Sequence, residues 1–560
     1  MIIASAVAAV AVVAAGWLIL AGGTPPEQKR ADRFAAAWAR GDFPAMRAEL
    51  TVAARRATPL PRFVAAYRAA AATATTVALR PGRAGKPSGA VVSVPMTLRT
   101  RVFGPIHATL RLPFAGKDDA ARIDWSPQLT FPGLRRGETL TRDMRLPRRA
   151  DILARDGSPL AQGPDRTSAL GAVASSIAGA LGPIPPERAG ELRALGYPDD
   201  ARIGISGLER VFDEKLAGHP GGLLHAGTRL IASSIARPAP AVRSSIDPDV
   251  QRAAVEAKGA RLGGVAAVRP RTGEILALSG IAFSGLQPPG STFKIITLTG
   301  VLQAKLAGPN SVYPVVTKAT IEGVDLENAN GESCGGSLRT SFARSCNSVF
   351  APLGARLGPD RLVKTAEAFG FNSDLGIPGA ATSTIPPASE IGDNLAVASS
   401  AIGQGRVQAT ALQMALVAST IAGRGRRPQL TLERAGPTRR TQAIPANVAR
   451  QVGRFMEAVV REGTGTAAQI TGVRVAGKTG TAELRDTVKQ DPCVPTPEVP
   501  ECPPVLPNDP TDTDAWFSAY APVAEPRIAV GVLLVEAGAG GDTAAPVAKQ
   551  VLIAGLKATR

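Results

Sequence analysis

Residues 285–308, GLQPPGSTFKIITLTGVLQAKLAG, place a serine and a lysine at the start of one predicted helix. Two prolines and a glycine at 288–290 interrupt regular structure, and the apolar residues that follow recur at helical spacing. The predicted helix therefore begins at Ser291 and ends near Gly308. A separation of three residues puts Ser291 and Lys294 on the same helix face, so the lysine amine can reach the serine hydroxyl.

This pairing predicts a serine nucleophile with a lysine as its base. A serine hydroxyl is a weak nucleophile until a neighbouring base accepts its proton. No histidine lies in this region of the sequence, so Lys294 is the predicted base for Ser291. A lysine accepts a proton only when it is neutral. Its ordinary pKa of ~10.4 must therefore fall, through burial or through a nearby positive charge.

A second stretch, VRVAGKTGTAEL at residues 473–484, reads as a strand and supplies that positive charge. Lys478 lies near the middle of the strand, where its ammonium would lower the pKa of the predicted base. The hydroxyls of Thr479 and Thr481 lie beside it, and with Lys478 they form a predicted site for a carboxylate such as a peptide C-terminus. Gly480 lets another stretch of backbone approach the strand closely.

A third stretch, RTSFARSCNSVFA at residues 339–351, adds a hydroxyl and an amide. Ser345 can relay a proton, and Asn347 can hold the backbone of a substrate. Each short pattern is common by chance, but here each occurs once, and they follow one another as nucleophile, loop and strand. This is the motif set of β-lactamases and penicillin-binding proteins. The alternative, in which Ser291 only caps a helix and the lysines are ordinary charges, does not account for three patterns in register.

Residues 144–556 resemble the class B penicillin-binding proteins, the monofunctional D,D-transpeptidases of cell-wall synthesis. Besides the catalytic patterns, the resemblance covers ARDGSPLA, GISGLERVFDEKLAG, SSIDPDVQ, AIGQGRVQATALQMA and REGTGTA. Three features depart from the family pattern: Ala150 replaces a glycine, Ala411 replaces a proline, and the proline-rich stretch 490–510 is an insertion. The resemblance implies a multidomain α+β fold whose penicillin-binding domain has a central antiparallel sheet flanked by helices.

The resemblance also implies acyl transfer without a cofactor. Lys294 would take the proton of Ser291 as the serine attacks the penultimate D-alanine of a stem peptide ending in D-Ala-D-Ala. An amine of a neighbouring stem would then resolve the ester. The backbone amides of Ser291 and Thr481 would form the oxyanion hole. β-Lactams would be trapped at Ser291, and proteins of wall synthesis are further expected partners.

Four segments are predicted along the chain. Residues 1–23 form a transmembrane anchor, 27–140 a cone-like α+β extension, 144–240 a pedestal or dimerisation-type domain, and 244–560 the transpeptidase domain. The extension has helical sequence followed by short β-rich runs. In this order it resembles the N-terminal domain of methicillin-resistance-type penicillin-binding proteins.

The anchor is predicted from an uninterrupted apolar run at residues 2–23. About 20 such residues cross the hydrocarbon core of a membrane as a helix. A cleavable signal peptide has a shorter apolar region behind a basic start. We therefore expect a single-pass protein of the bacterial cell membrane with its catalytic domain outside the cytoplasm.

All four cysteines lie in the C-terminal half, and an even number in an exported chain predicts disulfides. Cys334 with Cys346 and Cys493 with Cys502 are the expected pairs, and the other pairings remain open. No CxxC spacing and no nearby histidine accompany these cysteines, so no metal site is predicted.

The net charge of +18 is concentrated near the N-terminus, where residues 27–140 contain 19 Lys and Arg against 8 Asp and Glu. Such a region can attract lipid headgroups or acidic wall polymers. A solvated, arginine-rich face without a partner is the preferred interpretation, because charge runs alone are weak signals. No nucleic-acid-binding motif accompanies the charge, so no nucleic acid partner is predicted.

Three other functions would use the same catalytic residues. A D,D-carboxypeptidase would transfer the acyl group to water, and a β-lactam sensor or scaffold would be acylated without turnover. A β-lactamase would need an activated water. Residues 390–394, EIGDN, repeat the Glu-to-Asn spacing of one β-lactamase class, but Asp393 stands where that class has leucine. A glycosyltransferase domain before residue 240 is not predicted, because none of the three histidines lies in its motif.

Overall fold

A computed structural model describes residues 24–434, 439–483 and 513–559. The predicted anchor at residues 1–23 and the predicted pair Cys493 and Cys502 lie outside the described residues. Within those three ranges, no helix combines the length and the apolar character needed to cross a membrane.

The described helices are, in chain order, α1 (Pro26–Arg40), α2 (Phe43–Ala48), α3 (Val52–Ala57), α4 (Leu60–Thr73), α5 (Ala172–Ala178), α6 (Pro186–Leu195), α7 (Gly207–Val211), α8 (Asp213–Ala217), α9 (Pro248–Lys258), α10 (Lys294–Gln303), α11 (Leu338–Ala343), α12 (Asn347–Leu357), α13 (Pro359–Ala368), α14 (Ala388–Ile391), α15 (Asn394–Ala401), α16 (Ala411–Ala422), α17 (Ala446–Glu462) and α18 (Ala544–Ala558).

The described strands are β1 (Thr76–Pro81), β2 (Val91–Thr100), β3 (Pro105–Ala115), β4 (Arg122–Ile123), β5 (Leu140–Arg145), β6 (Ile152–Leu153), β7 (Pro159–Ala161), β8 (Leu181–Pro183), β9 (Arg202–Gly204), β10 (Gly221–Ala226), β11 (Arg229–Ser234), β12 (Val242–Arg243), β13 (Gly263–Val268), β14 (Ile275–Gly280), β15 (Val312–Val316), β16 (Lys318–Ile321), β17 (Val324–Glu327), β18 (Cys334–Ser337), β19 (Arg426–Pro428), β20 (Arg440–Gln442), β21 (Ala476–Glu483), β22 (Thr513–Ala521) and β23 (Ile528–Leu534).

The chain forms two compact units, each built from several segments. The first contains the described residues up to Ala150 together with 182–203 and 217–240. The second contains residues 151–181, 204–216 and the described residues from Ala241 onward. The predicted segment 144–240 is thus divided between the two units.

In the first unit, helices α1 to α4 precede an antiparallel sheet of order β1-β2-β3-β4. Helix α1 ends at Gly41, whose φ of 71° lies in the left-handed region, and Asp42 then caps α2 by accepting a hydrogen bond from the Ala45 amide. In the core, Trp125 Nε1 donates to the Tyr67 hydroxyl at 3.0 Å. The predicted order of helices followed by a sheet is present here.

The second unit is organised around a five-stranded antiparallel sheet of order β14-β13-β23-β22-β21. Helices α9 and α18 pack on one face, where Val530 and Val532 of β23 join their apolar cluster. Helix α16 packs on the other face. Gly531 makes this contact close, because a Cβ there would lie 2.0 Å from the Ala411 carbonyl oxygen.

One helix is shorter than predicted. Helix α10 ends at Gln303 and not near Gly308. Lys305 adopts a left-handed φ of 54°, and the Leu306 amide donates to the Val301 carbonyl. The left-handed residue and the hydrogen bond that follows it end the helix together, an arrangement that glycine provides in many helices.

The contact at Gly531 generates a test of the sheet packing. Gly531→Ala is expected to destabilise the second unit by at least about 2 kcal/mol, because the helix backbone opposite cannot move away without disturbing the core. The measurement is the free energy of unfolding in denaturant. Gly308→Ala is the matched control, since a Cβ at Gly308 meets no atom within 4 Å. Equal stability of the two variants would contradict this packing.

Candidate active site

The serine predicted as nucleophile lies in a short 3₁₀-helix, Gly290–Phe293, that leads directly into α10. Gly290 has a left-handed φ of 50°, and its amide donates to the Gly403 carbonyl at 3.0 Å. A Cβ on Gly290 would lie 2.6 Å from the Thr481 carbonyl oxygen. The turn that presents Ser291 is therefore packed directly against β21.

Gly480 of β21 allows the same close contact between the strand and the turn that precedes Ser291. A Cβ at this position would lie 2.8 Å from the Pro289 carbonyl oxygen and 2.9 Å from the Cβ of Trp516. The close backbone approach predicted at Gly480 is thus present. A side chain there would push the strand away from the nucleophile.

The Lys294 amine is fully buried and lies at the centre of the site. Its Nζ atom is 3.0 Å from Ser291 Oγ, 2.7 Å from the Ser345 carbonyl oxygen and 2.6 Å from Asn347 Oδ1. Ser345 Oγ lies slightly farther away, at 3.3 Å. One amine therefore contacts all three polar groups predicted for the nucleophile and loop patterns.

These contacts set the direction in which a proton can move. The carbonyl oxygen of Ser345 and the Oδ1 atom of Asn347 can only accept hydrogen bonds. A neutral Lys294 amine therefore donates its two hydrogens to these two oxygens. The remaining lone pair of the neutral amine can then accept a hydrogen bond from the Ser291 hydroxyl, whose oxygen lies 3.0 Å from Lys294 Nζ. This is the arrangement that a base needs before it takes the proton of a nucleophile.

The electrostatics of the site favour the neutral amine. Burial first, and the positive charge of Lys478 second, hold the pKa of Lys294 well below the ordinary lysine value. Burial also lowers the pKa of Lys478, to about 7. Loss of water around an ammonium removes its main stabilisation, and a second ammonium nearby adds repulsion.

Ser345 connects the two lysines. Lys478 Nζ donates to Ser345 Oγ at 2.8 Å and to the Thr479 carbonyl at 3.0 Å. Ser345 lies between α11 and α12 with a left-handed φ of 64°, a conformation that costs a side chain-bearing residue about 1 kcal/mol or more. Surrounding structure must therefore hold it in place.

A disulfide supplies part of that restraint. Cys334 at the start of β18 is bonded to Cys346, which lies directly between the loop's serine and asparagine, and the two Cα atoms are 5.4 Å apart. Both cysteines are buried. Asn347 begins α12, and its Nδ2 donates to the Glu327 carbonyl at 2.7 Å. The loop is thus fixed covalently on one side and by a hydrogen bond on the other.

The predicted carboxylate site lies on β21 with partners that sequence reasoning missed. Thr479 Oγ1 is 2.5 Å from the hydroxyl oxygen of Thr464, and Thr481 Oγ1 accepts from the Gly540 amide at 3.4 Å. Thr464 belongs to the stretch REGTGTA, which carries family resemblance but none of the three catalytic patterns. Gly540 lies in a stretch without any signal of this kind.

Glu390, the alternative water-activating residue, lies in a helical segment of the second unit. Glu390 is an exposed residue of the short helix α14, and Asp393 caps α15 by accepting from the Ala396 amide. Among the described residues no hydrogen bond joins the Glu390 carboxylate to Ser291 or Lys294. The EIGDN stretch thus behaves as a helix connection.

Comparisons with known proteins agree with this geometry. The penicillin-binding protein transpeptidase domain matches residues 263–553, and the penicillin-binding protein dimerisation domain matches residues 156–224. Peptidoglycan D,D-transpeptidase PbpA of Mycolicibacterium smegmatis is 32% identical over 431 residues, which cover 65% of this chain and 81% of that protein.

Solved structures are also similar. The D,D-transpeptidase domain of a peptidoglycan glycosyltransferase from Eggerthella lenta is 27% identical, with a TM-score of 0.57 over 73% of this chain and 98% of that one. Penicillin-binding protein A from M. tuberculosis, solved as a ceftriaxone acyl-enzyme complex, is 26% identical, with a TM-score of 0.56 over 73% of this chain and 98% of that one.

The chain therefore belongs to the penicillin-binding protein transpeptidase family. Within that family it is a class B penicillin-binding protein, with a transpeptidase and a dimerisation domain. The predicted family and the predicted serine-type D,D-transpeptidase class are confirmed, as is the α+β fold with a central antiparallel sheet.

The coupling between the two lysines predicts a pH dependence. Acylation of Ser291 should rise with pH as Lys294 loses its proton, with a midpoint well below 10.5 because the pKa of Lys294 is lowered. Lys478→Met removes the positive neighbour, so the pKa of Lys294 rises and the midpoint moves to higher pH. The measurement is the rate of covalent labelling by a fluorescent penicillin at saturating concentration.

The exposed Lys364, changed to Met, is the control and should leave this midpoint unchanged. A midpoint that is the same in Lys478→Met and the unaltered protein would contradict the proposed coupling. In the unaltered protein, labelling at a concentration well below saturation should also weaken above a pH of about 7, where Lys478 loses the charge that is expected to attract the penicillin carboxylate.

The disulfide generates a second prediction for the site. The double variant Cys334→Ala, Cys346→Ala is expected to lose about 3 kcal/mol of unfolding free energy, the loss of chain-entropy stabilisation for a bond between cysteines 12 residues apart. Penicillin labelling of Ser291 should also slow, because Ser345 and Asn347 are no longer held. Denaturant unfolding and labelling kinetics test both effects. Labelling at the unaltered rate would show that the loop keeps its shape without the bond.

Proposed function

We propose that this chain cross-links peptidoglycan as a D,D-transpeptidase, with Ser291 as the residue that carries the acyl group. The observation that supports this most directly is the contact between Ser291 Oγ and the buried amine of Lys294 at 3.0 Å. A serine held against a neutral amine at the start of a helix is suited to nucleophilic attack on a carbonyl.

In the first half-reaction, the Ser291 oxygen attacks the carbonyl carbon of the penultimate D-alanine of a stem peptide, and Lys294 receives the hydroxyl proton. The backbone amides of Ser291 and Thr481 stabilise the oxyanion, a contact worth ~2.7 to 4 kcal/mol per donor. When the peptide C–N bond breaks, the departing D-alanine amine receives the proton from Lys294 by way of the Ser345 hydroxyl. The product is an ester on Ser291.

In the second half-reaction, an amine of a neighbouring stem peptide attacks the ester carbonyl. Lys294, again neutral, takes a proton from this amine, and the proton returns to the Ser291 oxygen as the ester C–O bond breaks. The new amide links the two stems, and the enzyme regains its starting protonation state.

Substrate selection is proposed to depend on Lys478 and its two threonine neighbours on β21. Lys478 and the hydroxyls of Thr479 and Thr481 bind the C-terminal carboxylate of the stem peptide through charge and through donated hydrogen bonds. Asn347 holds the substrate backbone with the Nδ2 hydrogen that Glu327 does not use. β-Lactams present a carboxylate next to a reactive amide in the same arrangement, so they are expected to acylate Ser291.

The proposal extends to the whole chain. Residues 1–23 would anchor the protein in the bacterial cell membrane by a single span, with the catalytic domain outside the cytoplasm. Residues 27–140 would form a methicillin-resistance-type extension, 144–240 the dimerisation-type domain and 244–560 the transpeptidase domain. Other proteins of wall synthesis are proposed as partners.

The nucleophile is tested by mass spectrometry of the penicillin adduct. Proteolysis of the labelled protein is expected to place the adduct on Ser291, and Ser291→Ala should abolish labelling because no hydroxyl remains to be acylated. Ser284→Ala, at an exposed serine of the preceding turn, is the matched control and should label normally. An adduct on another residue would refute the mechanism.

Turnover separates the possible acceptors. With a stem peptide ending in D-Ala-D-Ala and an acceptor amine, the transpeptidase should release D-alanine and form a cross-linked product, both lost in Ser291→Ala. Release of D-alanine without cross-linked product would instead identify a carboxypeptidase. Labelling without any release would identify a sensor.

A further inference from the structure

A hydroxyl outside the three catalytic patterns lies beside the proposed carboxylate site. Thr464 follows α17, and its Oγ1 lies 2.5 Å from Oγ1 of Thr479. The Thr464 side chain is exposed, whereas Thr479 is only 5% exposed. The two hydroxyls therefore form a contact between buried strand β21 and a solvent-exposed residue.

The backbone fixes the position of Thr464. Its amide donates to the carbonyl of Ala343 at 3.1 Å, and Ala343 is the last residue of α11, two residues before Ser345. Gly541 also approaches closely, since a Cβ there would lie 2.4 Å from the Thr464 carbonyl oxygen. These two contacts fix the backbone from which the Thr464 hydroxyl reaches Thr479.

The hydrogen-bonding capacity of the two hydroxyls decides which one donates. A carboxylate has only acceptor atoms, so Thr479 binds it only by donating its single proton. Thr479 must then accept from Thr464. The competing acceptor for the Thr464 proton is the Ala343 carbonyl at 3.5 Å, which is too long for a strong hydrogen bond, whereas the contact with Thr479 is short.

We propose that Thr464 is a positioning residue for substrate recognition, which directs the Thr479 hydroxyl proton toward the carboxylate of the stem peptide or β-lactam. Thr464 donates to Thr479, and Thr479 donates to the carboxylate. The inference rests on the proposed function, because it takes Thr479 as a carboxylate ligand. It adds to that function a hydroxyl that none of the three motifs contains.

The test compares two forms of one ligand on the full-length chain: benzylpenicillin, which carries the carboxylate, and its methyl ester, which does not. The second-order rate constant for acylation of Ser291 is measured for both. Thr464→Val keeps the shape of the side chain and removes the hydroxyl, and Thr464→Ser restores it. Thr466→Val is the matched control, since Thr466 is an exposed threonine two residues away whose hydroxyl makes no hydrogen bond to any described residue.

Thr464→Val is expected to lower the rate constant for the acid about fivefold to tenfold, the effect of weakening a hydrogen bond to a charged group. The rate constant for the ester should stay within about twofold of the unaltered value, so the preference for the acid falls. Thr464→Ser should recover the preference, and Thr466→Val should keep it.

Two outcomes overturn the inference: equal losses for acid and ester, which indicate a purely structural role, or no loss for either ligand. Failure of Ser291 as the proposed nucleophile looks different, because then benzylpenicillin would not acylate Ser291 in the unaltered protein. Failure of cross-linking alone would appear only in the turnover assay and would leave these acylation rate constants unchanged.

Discussion

Ser345 Oγ lies between two fully buried lysine amines, 2.8 Å from that of Lys478 and 3.3 Å from that of Lys294. Burial of an ammonium costs several kcal/mol, and two of them around one hydroxyl also repel each other. Burial first, and repulsion from Lys478 second, hold the pKa of Lys294 well below the ordinary lysine value and favour its neutral form. The proposed base for Ser291 thus owes its lowered pKa mainly to burial, and the charge of Lys478 adds to that effect.

The fold is arranged to keep those groups together. Lys294 is carried by α10, Ser345 by a loop in left-handed conformation, and Lys478 by β21, so three separate elements must meet within hydrogen-bonding distance. The helix turn and the strand meet closely because Gly290 and Gly480 carry no Cβ at their contact. The contact between the turn that carries Ser291 and strand β21 is therefore made by backbone atoms. A change of side-chain rotamer does not weaken it.

Part of this arrangement could be predicted from the sequence. The spacing of Ser291 and Lys294 fixes their shared helix face, since it depends only on helix geometry. The order of the three patterns points to a site assembled from distant stretches. The sequence also indicates close approach at Gly480, because glycine within a strand often marks a place where another stretch of backbone comes near.

Other features depend on tertiary contacts that no local pattern encodes. Thr464 meets Thr479 only because its amide is bonded to the end of α11, and the amide of Gly540 reaches Thr481 from a remote turn. The early end of α10 arises from a lysine, Lys305, in a conformation more typical of glycine. The division of residues 144–240 between two units likewise follows from long-range packing.

The disulfide between Cys334 and Cys346 gives the catalytic loop a dependence on its surroundings. Thiols stay reduced in the cytoplasm and are oxidised outside it. A chain that had folded before export would hold Ser345 and Asn347 in a loop without its covalent closure. With the proposed location outside the cytoplasm, oxidation after export would close this loop only in the compartment that contains peptidoglycan.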